Sequence, residues 1–233
     1  MIQVAWRRRV DPAGTSGIVA AVPPLSAPDL AEISSTTLAH YERSARQYWD
    51  GTHDHDVSQN VDALLDAIAG DGPHRILDLG CGPGRDLVTF RERGHRPTGL
   101  DGSEAFVHMA RAHADVDVWH QDFLALGLPA AAFDGVFANA SLFHVPSQEV
   151  VRVLSEVFEC LCPAGVLFSS NPRGDNTEGW NRGRYGAYHD FERWHDFALA
   201  AGFEEIRHYY RPDGMPRAQQ PWLASLWRRP NAE

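Results

Sequence analysis

Three glycines at alternate positions, Gly80, Gly82 and Gly84, come directly after a short apolar run that contains Leu77 and Leu79. Glycine lets the backbone turn sharply and approach a bound molecule closely. A glycine-rich turn between a strand and a helix is a common setting for nucleotide binding. The alternative is a structural strand-to-helix turn that binds nothing. The segment therefore predicts a nucleotide site whose identity depends on spacing and on neighbouring residues.

The spacing of these glycines favours one class of nucleotide. Dinucleotide sites use Gly-x-Gly-x-x-Gly and bring a pyrophosphate to a helix terminus. This sequence has Gly-x-Gly-x-Gly instead. The pattern favours S-adenosylmethionine over NAD, because S-adenosylmethionine has no pyrophosphate to place there.

Polar side chains follow the next three predicted strands. Asp101 ends the second strand, 23 residues after Asp78, and a carboxylate there can accept hydrogen bonds from both ribose hydroxyls. Asp122 follows the third strand and is expected at an adenine amino group, with Phe123 against the ring. Asn139 ends the fourth strand, at the sheet edge where ligands bind in open α/β folds. Each acid also has a structural alternative, since acids cap helices.

Aromatic residues upstream of the glycine turn complete the predicted cofactor site. In similar enzymes this upstream segment folds over the cofactor, and core packing is the alternative. A sulfonium methyl group is already activated, so its transfer depends mostly on orientation. A base is needed only where the acceptor must lose a proton. The predicted cofactor contacts are Tyr41, Tyr48, Trp49, Asp78, Gly80, Cys81, Gly82, Gly84, Asp101, Gly102, Asp122, Phe123 and Asn139.

The elements that position these residues alternate between strand and helix patterns. We predict helices over residues 57–68, 85–93, 103–114, 147–161 and 190–201. We predict strands over residues 75–79, 96–101, 116–120, 133–138, 166–170, 204–210 and 222–228. Alternation implies a mostly parallel sheet with helices on both faces, and the last two strands imply an antiparallel hairpin. This α/β, Rossmann-like layout of seven strands is that of class I methyltransferases.

Composition limits the other possibilities. The chain has 233 residues, enough for one large domain, and we expect a flexible arm over 1–36 followed by one methyltransferase domain over 37–233. The net charge of −10 disfavours nucleic acid as a substrate. No apolar run nears the ~20 residues that span a bilayer. Three cysteines and no secretory signal predict a reducing cytoplasm. The run His53-Asp54-His55-Asp56 predicts a polar turn, not a metal site.

Several stretches outside the glycine turn carry an unusual set of polar and aromatic residues. They cover residues 41–60, 76–85, 137–146, 169–176, 179–181, 184–190, 208–212 and 219–225. Together they resemble the methyltransferase domain of ovothiol biosynthesis, over roughly 38–228. In its common form that domain is fused behind a sulfoxide synthase that joins cysteine to histidine.

The resemblance implies N-methylation of the imidazole of 5-thiohistidine, which gives ovothiol A. It also implies that no iron is needed here, because the fused synthase domain and its His-x-x-x-His-x-Glu motif are absent from this sequence. We therefore expect a stand-alone or excised methyltransferase domain. A separate sulfoxide synthase and lyase would supply its substrate.

Residue types suggest how such a zwitterionic acceptor is held. Either Arg173 or Arg184 can pair with its carboxylate. We name His144 and His189 as candidate bases, because histidine titrates near neutral pH; for His144 a packed structural role is an equal alternative. Amide side chains can hold the imidazole edge, and tyrosine rings can stack on it. The predicted acceptor contacts are Gln59, Asn60, Phe143, Asn171, Arg173, Asn181, Arg184, Tyr185 and Tyr188.

Two other functions remain open from the sequence. One is a methyltransferase for another small amine, thiol or hydroxyl, which would share the cofactor residues and differ in the acceptor pocket. The other is a non-catalytic subunit that binds S-adenosylmethionine and regulates a partner.

Overall fold

The structure is a computed structural model that describes residues 24–231. It contains a seven-stranded sheet in the order β3-β2-β1-β4-β5-β9-β8 and a separate two-stranded hairpin, β6-β7. The strands are β1 Arg75–Leu79, β2 Arg96–Asp101, β3 Val118–His120, β4 Phe133–Asn139, β5 Leu161–Pro172, β6 Thr177–Asn181, β7 Arg184–Tyr188, β8 Glu204–Arg211 and β9 Trp222–Arg228. Strands β1 to β5 pair in parallel, and β9 lies antiparallel between β5 and β8.

Helices cover both faces of this sheet. They are α1 Ala27–Thr52, α2 Ser58–Ala67, α3 Arg85–Glu92, α4 Glu104–Ala114, α5 Val150–Cys160 and α6 Phe191–Ala200. Side chains alternate between faces along a strand. Leu77 of β1 therefore packs with Leu154 of α5, whereas its neighbour Ile76 packs with Leu64 of α2. Burial of each such side chain stabilises the fold by about 1.5–3 kcal/mol.

The predicted fold class is confirmed, and so are all seven sheet strands. Helix α4 begins after Ser103, whose hydroxyl caps the helix by accepting a hydrogen bond from the backbone N–H of Phe106. Among the described residues no helix is long and apolar enough to cross a membrane, and no cluster of potential metal ligands is found.

The boundary of the predicted arm is wrong in part. Residues 1–23 lie outside the described residues, but residues 27–36 form the first third of α1. Ser26 and Asp29 form a capping box, in which each side chain accepts a hydrogen bond from the other's backbone N–H, and Pro28 fits the first helical turn. The prolines and glycines before Ser26 predict irregular backbone, so the sequence did not indicate that a helix begins there.

Two further differences lie between β4 and α6. Strand β5 starts at Leu161 and runs for 12 residues, so Pro163 lies inside the strand, and α5 ends at Cys160. The stretch 171–189, where no strand or helix was predicted, contains the β6-β7 hairpin. This hairpin contacts α1, because the Thr37 hydroxyl accepts a hydrogen bond from the Tyr185 backbone N–H at 3.0 Å. Helix α1 and the hairpin thus stand together over the carboxyl edge of the sheet.

Candidate active site

The glycine turn connects β1 to α3 and adopts the conformations that only glycine accepts readily. Gly80, Gly82 and Gly84 have φ angles of 80°, 53° and 92°. A side chain on Gly80 would also place its Cβ 2.4 Å from the Cβ of Ser141. Gly80 is therefore required both by its backbone conformation and by the close approach of Ser141 to the turn.

Asp101 connects the glycine turn to α4. One carboxylate oxygen accepts the Gly82 backbone N–H at 2.9 Å, and the other accepts the Ser103 backbone N–H at 2.9 Å. Burial raises the pKa of Asp101 to about 6, against the lowering effect of these hydrogen bonds. The carboxylate keeps lone pairs free for hydroxyl donors, which suits the predicted ribose contact.

A cleft of about 700 Å³ lies beside the turn, at the carboxyl edge of β1, β2 and β4. Helix α1 forms one wall, and the segments 122–124 and 140–145 form the others. The residues that line the cleft are Ile33, Ser34, Thr37, Leu38, Tyr41, Tyr48, Gly80, Gly82, Asp101, Gly102, Phe106, Asp122, Phe123, Leu124, Ala140, Ser141, His144 and Val145. Nine of the residues predicted from the sequence are among them.

Asp122 and Phe123 lie in the cleft as predicted, but Asp122 has a second role. It accepts the Leu124 backbone N–H at 2.8 Å and also a hydrogen bond from the hydroxyl of Ser34 on α1. Phe123 reaches the glycine turn, with its ring edge 3.1 Å from the position that a Gly80 Cβ would take. The pair therefore forms the floor of the cleft and holds α1 to it.

A chain of hydrogen bonds crosses the cleft through His144. Nδ1 of His144 lies 2.5 Å from the Tyr185 carbonyl oxygen, so Nδ1 carries the hydrogen, and Nε2 accepts the Tyr41 hydroxyl at 2.7 Å. Arg184 donates to the same Tyr41 oxygen at 3.0 Å. Burial lowers the pKa of His144 to about 4, so the ring is neutral at pH 7. This geometry favours a positioning role over the predicted role as a base.

A second polar network lies beneath the glycine turn and contains three of the predicted residues. Asn60 donates to Asn139 at 3.1 Å, and Asn139 donates to Asp86 at 3.5 Å. Asp78 is buried beside them, and burial together with the nearby Asp86 raises its pKa. Asp78, Asn60 and Asn139 do not line the cleft and instead support the turn from below, so their ligand contacts stay predictions.

Other predicted cofactor contacts also lie outside the cleft. Trp49 packs against His53 and His113, with ring centroids 5.4 and 4.8 Å away. Cys81 is buried among core side chains below the turn, and Gly84 faces Ala110 of α4, where a Cβ would meet its Cα at 2.9 Å. Trp49, Cys81 and Gly84 therefore contact other parts of the protein and do not line the cleft.

The structure places the predicted acceptor residues at several different sites. Arg184 and Tyr185 contact the cleft wall through Tyr41 and His144, and Asn181 donates to the Tyr188 hydroxyl within the hairpin at 3.2 Å. Arg173 instead donates to the carbonyl oxygens of residues 217 and 220 and stabilises that loop. Gln59 is exposed on α2. Both Arg173 and Gln59 are therefore corrected as acceptor contacts.

A smaller cavity lies behind Phe143, next to the cleft. It has a volume of about 210 Å³, part of which is open to solvent, and is lined by Phe143, Asn171, Ala187, His189, Trp194 and Leu223. The structure thus brings three of the predicted residues, Phe143, Asn171 and His189, to one place.

Sequence reasoning missed the part of α1 before Tyr41 as a wall of the cleft. Ser34, Thr37 and Leu38 lie on the same face as Tyr41, at helical spacing, so an amphipathic pattern was present in the sequence. It was overlooked because the helix is polar overall and its start was assigned to the arm.

Sequence comparison finds similarity to a known family over part of the chain. Residues 76–165 match the family described as Methyltransferase domain. A trans-aconitate 2-methyltransferase of Azoarcus sp. (strain BH72) is 35% identical over 112 residues, 47% of this chain and 44% of that protein. An uncharacterized methyltransferase of Mycobacterium bovis is 33% identical over 111 residues, 46% of this chain and 55% of that protein. The chain spans about half the length of these curated relatives.

Solved structures resemble nearly the whole chain. Burkholderia thailandensis 1,6-didemethyltoxoflavin-N1-methyltransferase, with bound 1,6-didemethyltoxoflavin and S-adenosylhomocysteine, gives a TM-score of 0.71 at 23% identity, over 90% of this chain and 93% of that one. The fold is that of a class I methyltransferase. The [4+2]-cyclase SpnF has the same fold, with a TM-score of 0.68 at 20% identity over 85% of this chain and 97% of that one. The matched family and this methyltransferase fold support S-adenosylmethionine as the cofactor.

Proposed function

We propose that this protein is an S-adenosylmethionine-dependent methyltransferase that acts on a small molecule. The observation that carries the proposal is the cleft itself. A turn without side chains at Gly80 and Gly82 and the buried carboxylate of Asp101 meet there at the carboxyl edge of a class I methyltransferase sheet. The names of the curated relatives, which include small-molecule methyltransferases, support the same activity.

The described residues fit this cofactor. Bound S-adenosylmethionine would supply an activated methyl group. Asp101 would accept hydrogen bonds from its ribose hydroxyls, and Phe123 would lie against its adenine ring. Tyr41 and Tyr48 on α1 line the cleft, and the Tyr48 ring lies next to Gly82 of the turn. Catalysis then consists mainly of holding the acceptor atom in line.

His144 keeps α1 in place during this reaction. Its ring is neutral at pH 7, and its free lone pair is already used by the Tyr41 hydroxyl. A neutral imidazole or amine nitrogen is nucleophilic without a base, so the proposed reaction does not depend on proton transfer to His144.

For the acceptor we propose the imidazole nitrogen of 5-thiohistidine, giving ovothiol A. The support is the residue pattern over roughly 38–228, most of which lies outside the glycine turn, together with the cavity next to the cleft that contains Asn171 and His189. Thiohistidine offers N–H groups, and the walls of the two cavities carry amide and imidazole side chains that can accept hydrogen bonds from them. On this proposal a separate synthase and lyase would supply the substrate in the cytoplasm.

A turnover assay tests both levels of the proposal. The purified protein is incubated with S-adenosylmethionine and one acceptor: 5-thiohistidine, histidine or trans-aconitate. Products are read by mass spectrometry. A methylated product from thiohistidine but not from histidine is expected. Methylation of trans-aconitate alone would overturn the thiohistidine assignment and keep the small-molecule methyltransferase.

One observation favours a second candidate. The [4+2]-cyclase SpnF shares this fold, so the fold alone does not fix methyl transfer as the reaction. A cofactor-binding protein without transferase activity would bind S-adenosylhomocysteine in calorimetry yet methylate none of the acceptors in a broad panel.

A further inference from the structure

The cavity behind Phe143 is built from elements that meet at the carboxyl edge of the sheet. Asn171 lies near the end of β5 and faces Leu223 of β9 in the strand register, and His189 follows β7 of the hairpin. Phe143 separates this cavity from the cleft, since its ring packs 3.9 Å from that of His144, centroid to centroid. The Phe143 side chain therefore lies between the cavity and the cofactor cleft.

Two buried polar atoms in this cavity lack hydrogen-bond partners. They are Oδ1 of Asn171 and Nδ1 of His189, in residues that are 7% and 8% exposed. Only four buried side-chain atoms in residues 24–231 are in this state. A buried polar atom without a partner destabilises the fold, because it has lost its hydrogen bond to water. Two of the four in one cavity therefore point to a ligand that satisfies both.

The chemistry of His189 indicates which kind of ligand is needed. Burial lowers its pKa, while Glu178 and Asp190 raise it and Arg193 lowers it. Nε2 lies 3.4 Å from the Ser147 hydroxyl. We assign the hydrogen of the neutral ring to Nε2, which then donates to the Ser147 hydroxyl, so that Nδ1 is an acceptor. Both unpartnered atoms are then acceptors.

The remaining walls supply no donor. Phe143, Ala187 and Leu223 are apolar, and the indole N–H of Trp194 already donates to Ser169 at 3.1 Å. A group that enters the cavity must therefore bring its own N–H or O–H hydrogen.

We propose that this cavity is the subsite for a nitrogen-bound hydrogen of the methyl acceptor, which donates to Oδ1 of Asn171 and Nδ1 of His189. The inference rests on the proposed function and names the part of the acceptor that this protein selects. An acceptor with a ring N–H or an amino group fits the subsite. An acceptor that carries only carboxylates leaves both atoms without partners.

A binding experiment tests the subsite without turnover. The protein saturated with S-adenosylhomocysteine is titrated with imidazole, and the ¹⁵N resonances of its histidine rings are followed by NMR. The Nδ1 resonance of His189 is expected to shift in a saturable manner. An unchanged resonance up to the solubility limit of imidazole overturns the subsite. A cross-peak from the His189 ring to water alone also overturns it, because a buried water then satisfies the two atoms.

Three variants of the subsite and one control variant make the test specific. Asn171→Leu removes one acceptor at similar volume, so it is expected to weaken imidazole binding about tenfold while folding stability is kept or raised. His189→Asn keeps a polar atom near the Nδ1 position and is expected to retain more binding than His189→Gln. Gln59→Leu, on the exposed surface of α2, is the control. Equal imidazole affinity in Asn171→Leu and the control contradicts the proposal.

The failure of this subsite differs from the failure of the proposed function. If wild-type protein methylates 5-thiohistidine and Asn171→Leu has the same KM, only the subsite is wrong. If wild-type protein binds S-adenosylhomocysteine and imidazole but methylates no acceptor, the subsite stands and the methyltransferase activity is wrong.

Discussion

The Tyr41 hydroxyl lies 2.7 Å from Nε2 of His144, although 103 residues separate the two in sequence. Because Nδ1 of His144 faces the Tyr185 carbonyl oxygen, the Tyr41 hydroxyl is the donor in this bond. The contact joins α1 to the short turn that follows β4, directly across the mouth of the cleft. It therefore connects the part of the chain that covers the cofactor with the part that lies next to the acceptor cavity.

Removing this hydroxyl tests its role. Tyr41→Phe leaves Nε2 of His144 buried without a donor and Arg184 without its acceptor. We expect a loss of about 1–3 kcal/mol in the free energy of unfolding and weaker S-adenosylhomocysteine binding. Urea unfolding and calorimetry measure the two effects. Tyr48→Phe, which also changes a cleft tyrosine on α1 but removes no hydrogen bond to His144, is the matched control and should change stability less.

The lowered pKa of His144 predicts how stability depends on pH. The unfolded ring takes up a proton near its reference value of 6.5, whereas the folded ring does so at about 4. The contribution is full above pH 6.5 and is lost as the pH falls towards 4, by roughly 3 kcal/mol. His144→Gln keeps an acceptor near Nε2 and does not titrate, so its unfolding free energy should fall less over this range. His55→Gln, at an exposed site, should follow the wild type; an identical slope in His144→Gln would contradict the assignment.

The raised pKa of Asp101 predicts a pH effect on cofactor binding. Its ordinary value is 3.8 and its value in the fold is about 6. Ribose hydroxyls bind the charged form, so below pH 6 binding must displace a proton. Affinity for S-adenosylhomocysteine should fall about tenfold for each pH unit below 6 and stay level above it. Calorimetry at several pH values measures this.

A substitution at the same position supplies the control for this effect. Asp101→Asn should bind more weakly at pH 8 and show little change with pH. The exposed Asp71→Asn should keep the wild-type profile. Equal pH profiles in all three proteins would exclude Asp101 as the titrating group.

A substitution in the glycine turn gives a steric test, and a glycine in α1 serves as its control. Gly80→Ala places a Cβ 2.4 Å from that of Ser141 at a φ of 80°, so it should abolish measurable cofactor binding and lower stability. Gly51→Ala lies in α1, where nothing comes within 4 Å of the new Cβ, and it should raise stability by about 0.5–1 kcal/mol. Retained binding in Gly80→Ala would mean that the turn does not approach the ligand.

The sheet was predictable from sequence because its strands and helices carry strong, separate periodicities. The start of α1 was not, since Ser26 and Asp29 act through a capping box that prolines and glycines precede. The hairpin of residues 177–188 was missed for another reason. Its strands are short and partly polar, and they pair only with each other. Their position depends on contact with α1, which no local pattern reveals.

The parts of the cofactor site that depend on the path of the backbone were predictable from the sequence. Gly80, Gly82 and Asp101 lie in the cleft because a turn after a parallel strand places them there. The directions of side chains were harder to predict. Asp78 points into the protein and Arg173 towards a loop, since burial and nearby carbonyl oxygens decide where a long or charged side chain goes. Residue type alone could not separate these cases.

Both the cofactor cleft and the cavity behind Phe143 combine residues from inside and outside the matched stretch 76–165. The glycine turn and Asp101 lie within that stretch, whereas α1, Asn171 and the hairpin lie outside it. The outer parts are not independent of the cleft, because the hairpin forms hydrogen bonds to α1 and to His144. A redesign of acceptor selectivity through the hairpin would therefore also change how α1 lies over the cofactor.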